Sequence, residues 1–174
     1  MKKALIILAS LVGLWLLTAA FLPSESVVTR EILISAPADS VFEQFNTLKN
    51  WKKWSYWDQA DPTMKSTYKG PESGVGATHA WVSEEMGTGS LTIIESNRPT
   101  NIKYELRFED MPPSYGSLSL MGEGNDLLVT IEMRMNMPFI FRPMGLIMDK
   151  MMGPDFEKSL TGLKSRCEKP MQNN

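Results

Sequence analysis

The sequence predicts an α+β chain: a curved antiparallel sheet of about seven strands around one long C-terminal helix, with an apolar helix ahead of both. Three observations carry this. Between Thr63 and Met137, runs that alternate apolar and polar residues are separated by short turns rich in Gly, Pro and Asn, the pattern of strands with one face inward. From Met144 to Cys167, apolar residues recur at steps of three and four, the stripe of a helix that needs a surface to bury it. From Ala4 to Leu22 there is no charge at all.

That uncharged run spans about 28 Å as a helix, close to the hydrocarbon thickness of a bilayer. A cleaved signal peptide is the competing reading, but its apolar region usually covers roughly 7–15 residues. The expectation is an uncleaved single-pass anchor over residues 1–22. Lys2 and Lys3 place the preceding end in the cytoplasm, so the domain is expected on the outer side of a cell's inner membrane. Pro23-Ser24-Glu25-Ser26 is the expected linker. Four residues reach at most ~14 Å, which keeps the domain near the lipid headgroups.

The folded domain is expected over 27–168. Val27 to Ser35 has the β-branched composition of a strand, and Pro37 opens a helix whose buried face is Val41, Phe42, Phe45 and Leu48. Leu48, Trp51 and Trp54 continue into a second short helix, with Lys49, Lys52 and Lys53 outward. Strands follow over Met64–Lys69, Ala77–Ser83, Thr88–Ser96, Ile102–Phe108, Tyr115–Met121 and Leu127–Met135. Gly122 to Asp126 is a hairpin turn. In the last helix, Gly153-Pro154 predicts a kink or break, because proline removes a backbone donor. Residues 169–174 read as a disordered tail.

This order is similar to that of the START-like helix-grip superfamily, also called SRPBCC, and its polyketide cyclase/dehydrase-like members. Three stretches carry the resemblance: Thr29 to Pro37; Trp51-Lys52-Lys53-Trp54-Ser55-Tyr56-Trp57, similar to a W-x-x-W-S-P-W pattern; and Met152 to Leu160 with Leu163-Lys164. Tyr56 stands where the family often has proline, and Ser159 where it often has glycine. The resemblance implies a cavity between sheet and long helix for small hydrophobic molecules. It implies no reaction.

Composition limits the chemistry. The net charge of -2 and the lack of a basic motif give nucleic acid nothing to bind. One cysteine, Cys167, excludes an internal disulfide, and one histidine, His79, excludes a multi-histidine metal centre. No nucleophile motif is present. No cofactor and no catalytic residue are assigned. The candidate cavity residues are Trp54, Trp57, His79, Trp81, Tyr104, Tyr115, Met148 and Met152. The tryptophans, recurring every third residue from Trp51, read as core, as a cavity rim, or with Lys49, Lys52 and Lys53 as a lipid-headgroup patch. His79 and Trp81 share one face of a strand, and no motif sets a Ser, Cys or carboxylate beside His79. Tyr104 points inward and Tyr115 opens the next strand. Glu84-Glu85 and Glu109-Asp110 read as solvated turn charges. The methionines of the last strand and helix suit an adaptable apolar wall. The expectation is therefore a membrane-tethered module for a hydrophobic or lipid-like ligand. An accessory protein-interaction domain with a filled core and a cyclase- or hydrolase-type enzyme are the alternatives. No protein partner is assigned.

Overall fold

A computed structural model describes residues 2–109 and 111–168. The expected disordered tail and Asp110 lie outside the described residues. Helix α1 (Lys2–Phe21) leads into strand β1 (Glu25–Ser35), then helix α2 (Ala38–Asn46), a 3₁₀ turn (Leu48–Lys53) and the short helix α3 (Tyr56–Ala60). Six strands follow: β2 (Lys65–Lys69), β3 (Thr78–Ser83), β4 (Gly87–Asn97), β5 (Asn101–Phe108), β6 (Ser114–Glu123) and β7 (Asp126–Asn136). A 3₁₀ segment (Phe139–Met144) runs into helix α4 (Gly145–Cys167).

The seven strands form one curved antiparallel sheet in the order β1-β7-β6-β5-β4-β3-β2. Only β1 is out of sequence order, because the chain closes by pairing its first strand with its last. At the β6–β7 turn, Glu123 faces Asp126 across a two-residue loop. Gly124 there takes φ +63, which a two-residue hairpin turn requires. The expected linker is shorter than the sequence suggested. Glu25 and Ser26 already pair with Asn136 and Met135, and the Met137 amide donates to Ser24 O at 2.8 Å. The unpaired backbone groups of β7 drew these residues into the sheet.

Inward residues of every strand but the edge strand β2 build the core with α2 and α4. Val28, Ile34, Ile93, Ile102, Leu118, Val129, Phe42, Phe45, Leu160 and Leu163 are buried. Helix α4 lies along β1. Arg30 on β1 donates to Glu157 and to both carboxylate oxygens of Asp149, at 2.7–3.0 Å. Near the helix end, Lys164 Nζ donates to Leu33 O at 2.6 Å, and Glu168 accepts from the Ser35 amide at 2.8 Å. These side chains cover backbone groups that an edge strand otherwise leaves open.

The helix passes through Pro154 with no break in its helical conformation. Gly153 serves close approach instead: a Cβ there would collide with the Arg30 guanidinium. The apolar stripe divides. Phe156, Leu160 and Leu163 are buried, Met148, Met152 and Cys167 are half-buried, and Met144, Ile147 and Met151 are exposed.

Candidate functional site

Helix α4 is held to the β1 edge at both ends, and the sheet curves away from it on the other side. Between them lies a cavity of about 330 Å³. Its walls come from four places. The Trp51–Asp58 stretch gives Trp51, Trp54, Ser55, Trp57 and Asp58; α4 gives Asp155, Phe156 and Ser159. The sheet gives His79, Trp81, Leu91, Tyr104, Leu106, Phe108, Ile131 and Met133, and Met64 and Met86 complete the lining from loops.

The three tryptophans combine two of their expected roles. Trp51 Nε1 donates to Phe45 O at 2.9 Å and Trp54 Nε1 to Gln44 O at 3.2 Å. Both acceptors lie in the last turn of α2, whose carbonyls have no partner within the helix. Each indole is anchored at its polar edge and gives a face to the cavity. Trp57 is only half-buried.

Two glycines let aromatic rings lie flat on the sheet. Tyr104 pairs with Gly116 and Trp81 with Gly89, and a Cβ at either glycine would run into the ring. A side chain at those positions would push the rings into the cavity. The void therefore depends partly on two residues that do not line it.

The polar part of the site gathers around His79. It is 6% exposed and stacks on Tyr68 with ring centroids 4.8 Å apart. Its Nδ1 lies 3.8 Å from Asp58 Oδ1, an ion-pair distance rather than a hydrogen bond. Sequence reasoning set no carboxylate beside His79; α3 supplies one. Burial pushes the Asp58 carboxyl up to about 6, against a smaller downward pull from Ser55 and the Lys52 charge. Burial, reinforced by Lys52, pushes the His79 imidazole down to about 4. At neutral pH the pair is a carboxylate beside a neutral imidazole. Tyr104 is fully enclosed, and burial raises its phenol, so it stays a protonated donor.

Asp58 Oδ1, His79 Nε2 and Trp81 Nε1 are buried and find no hydrogen-bond partner among the described residues, and the same holds for Ser66 Oγ and Tyr68 OH beside them. One such orphan costs about 1–3 kcal/mol. Five in one neighbourhood mark a place where the protein's own groups do not complete the network. Among the described residues, no group of three or more His, Cys, Asp or Glu side chains could hold a metal.

The half-buried members of the lining, Trp57, Asp58, Met64, Met86, Phe108 and Asp155, mark the mouth. Asp61 braces it. Its carboxylate accepts from the Thr63 amide and hydroxyl at 2.7 and 2.6 Å and from the Ser83 hydroxyl, and these bonds, Ser83's first, hold its pKa below the usual carboxylate range. Met64, Met86 and Phe108 all stand at the sheet end where β2 and β4 begin and β3 and β5 finish. The antiparallel register puts the start of β1 at that same end.

Of the residues expected at the cavity, Trp54, Trp57, His79, Trp81 and Tyr104 line it. Three do not. Tyr115 is 47% exposed on the outer face, its hydroxyl 3.4 Å from Glu105 Oε2, because strand alternation turns Gly116, not Tyr115, inward. Met148 and Met152 pack against the core in the part of α4 that hugs β1, away from the lining. The methionines that do line it are Met64, Met86 and Met133. Sequence reasoning missed Ser55, Asp58, Asp155 and Ser159 as site residues. The available signal was Asp58 itself, a carboxylate directly after a stretch of core tryptophans.

Residues 26–168 match the family described as polyketide cyclase / dehydrase and lipid transport. The chain belongs to that family. Solved structures agree on the fold. A Staphylococcus aureus protein of unknown function is similar with a TM-score of 0.66 at 12% identity, covering 86% of this chain and 97% of its own. A Chromobacterium violaceum protein is similar with a TM-score of 0.62 at 16% identity, covering 83% and 99%. Norcoclaurine synthase from Thalictrum flavum, solved with dopamine and hydroxybenzaldehyde, gives 0.60 at 13%, covering 82% and 86%. A search of curated proteins returns no match.

The two positions that the resemblance singled out, Tyr56 and Ser159, meet in the structure. The Tyr56 amide donates to Ser159 Oγ at 2.9 Å, and that hydroxyl donates to Asp155 O at 2.8 Å. A proline at 56 would have no N–H to donate, and a glycine at 159 no hydroxyl to accept it. The two replacements complete each other across the cavity wall.

Proposed function

We propose that this chain is a membrane-tethered binding module for a small hydrophobic molecule carrying one polar group. The observation that carries the reading is the pairing of an apolar cavity with partnerless polar atoms concentrated on one side of it. A volume of about 330 Å³ falls at the lower end of the roughly 300–1,000 Å³ typical of small-molecule sites. A carboxylate acceptor, an indole donor and an imidazole that can do either suit a ligand hydroxyl, amine or phenol. The norcoclaurine synthase structure holds aromatic ligands of that kind, which supports the ligand class by analogy only. The tether is read from α1, a helix long and apolar enough to cross a membrane, near the N-terminus.

The test is to purify the full chain from membranes in mild detergent and identify co-purifying small molecules by mass spectrometry. Leu106→Trp, which fills the cavity, serves as the comparison. The expected result is a bound molecule lost from the variant while its melting temperature holds. A wild-type protein that carries nothing, and shows no thermal shift with fatty acids or naphthols, overturns the reading. It would favour an interaction domain instead.

Acid–base chemistry on the bound molecule is the second reading, favoured by one observation: Asp58 sits near 6, close to a working pH, beside His79. A ligand that binds Asp58→Asn unchanged and is never converted by the wild type sinks it.

A further inference from the structure

The part of the stripe that the sheet does not cover continues into the 3₁₀ segment before it. Phe139, Ile140, Phe141, Leu146, Ile147 and Met151 are 47–66% exposed. Scattered exposed apolar residues need no explanation, but a contiguous group marks a contact surface. This group adjoins α1. Trp15 Nε1 donates to Ile140 O at 2.8 Å, and Arg142 Nη1 lies 3.5 Å from the carbonyls of Ala19 and Leu22, at the open end of that helix.

We infer that Phe139–Met151 is a second membrane contact, a wedge seated in the outer leaflet beside α1. The inference rests on the reading of α1 as an anchor and adds where the folded domain meets the lipid. Depth argues for it. Trp15 stands about 9 Å below the C-terminal end of α1 at 1.5 Å per residue, so Ile140 lies at that level. An interfacial apolar face sits about 5–10 Å into the headgroup and acyl boundary.

Backbone chemistry argues for it independently. A segment in lipid must satisfy its polar groups within the protein. The Phe141 amide donates to Pro138 O at 2.7 Å, Ile140 O accepts the Trp15 indole, Pro143 has no N–H, and the Gly145 amide bonds Arg142 O and Pro143 O. Asp149 pairs with Arg30, which Glu157 shares, and the exposed Lys150 beside it is long enough to carry its charge out to the headgroups. Arg142 reaches the level of Leu22, where the apolar run ends, through Nη1, while its Nε is buried and finds no partner among the described residues. A wedge here also sets the cavity mouth toward the membrane, because β1 begins at the sheet end that carries Met64, Met86 and Phe108.

The test uses the full chain with Cys167→Ser, reconstituted in phosphatidylcholine vesicles at high lipid-to-protein ratio. Single spin labels are placed at Ile140→Cys, Phe141→Cys and Ile147→Cys. Leu8→Cys in α1 and Ser73→Cys on an exposed loop serve as references. The readout is collision with oxygen, which enriches in lipid, against a nickel chelate, which stays in water. The expected result is loss of nickel collision at 140, 141 and 147, as at 8, with nickel access kept at 73. Lipid-like behaviour at 8 with nickel access at 140, 141 and 147 overturns the wedge and leaves the anchor standing. Nickel access at all five overturns both. Shielding at 140, 141 and 147 from both reagents, with spin–spin broadening that survives lipid dilution, means that a second copy covers the patch, and that also overturns the wedge.

Discussion

The two halves of α4 have the same kind of sequence and opposite surroundings. From Gly153 onward, Phe156, Ser159, Leu160 and Leu163 are buried against the core or the cavity. Before Gly153, Leu146, Ile147 and Met151 are bare, and the Arg30–Asp149 ion pair holds that half to the β1 edge. An apolar stripe records that a face avoids water. It does not record what takes the water's place. In one half the answer is sheet and ligand space; in the other, by our inference, it is lipid.

Variants placed in the two halves, and in the wall between them, put this contrast to measurement. Leu160→Ala in the buried half should cost about 2–5 kcal/mol, read as a shift in urea unfolding of the full chain in detergent. A cost below that of a surface substitution would mean that the halves do not differ.

A second effect is the pH dependence of the polar wall. Folding raises Asp58 from 3.8 to about 6, so its share of stability is present at low pH and lost as pH rises across that window. Folding lowers His79 from 6.5 to about 4, so its share is present above that window and lost as pH falls through it. The two slopes oppose and flatten each other in the wild type. Asp58→Asn removes one. Its stability relative to wild type should therefore rise by about 2–3 kcal/mol between pH 4 and pH 7, and unfolding midpoints across that range check it. A constant difference would mean that Asp58 is not held in its protonated form by burial.

Next is the linked pair across the cavity wall. Ser159→Gly leaves the Tyr56 amide unpaired and should cost about 1–3 kcal/mol. Adding Tyr56→Pro removes that orphan donor and should recover part of the loss, which a double-mutant cycle measures. Smallest of all, Ile147→Ser in the bare half should move the stability of the full chain by no more than about 0.5 kcal/mol in the same urea unfolding.

Much of this was legible in the chain. Alternation along Ile102 to Phe108 and Leu127 to Met135 placed strands and turned Tyr104 inward, and it gave His79 and Trp81 a shared face without saying which way that face points. Tyr115 was expected at the cavity only because it opens a strand, whereas the alternation itself turns Gly116, Leu118 and Leu120 inward and Tyr115 outward. The helical periodicity ran past Gly153, since period alone made Met144, Met148 and Met152 equivalent to Phe156 and Leu160.

What the sequence determined by itself is local and periodic: the strands, the long helix, the uncharged N-terminal run and the family's order of elements. Those follow from backbone geometry and side-chain spacing within a few residues. Which residues meet across the fold is a different matter. Asp58 reaches His79 from another element, Tyr56 and Ser159 complete each other over 103 positions, and Trp15 bonds Ile140 over 125. No spacing rule reaches that far, because such contacts depend on how the whole sheet curves and where the helix is pinned to its edge.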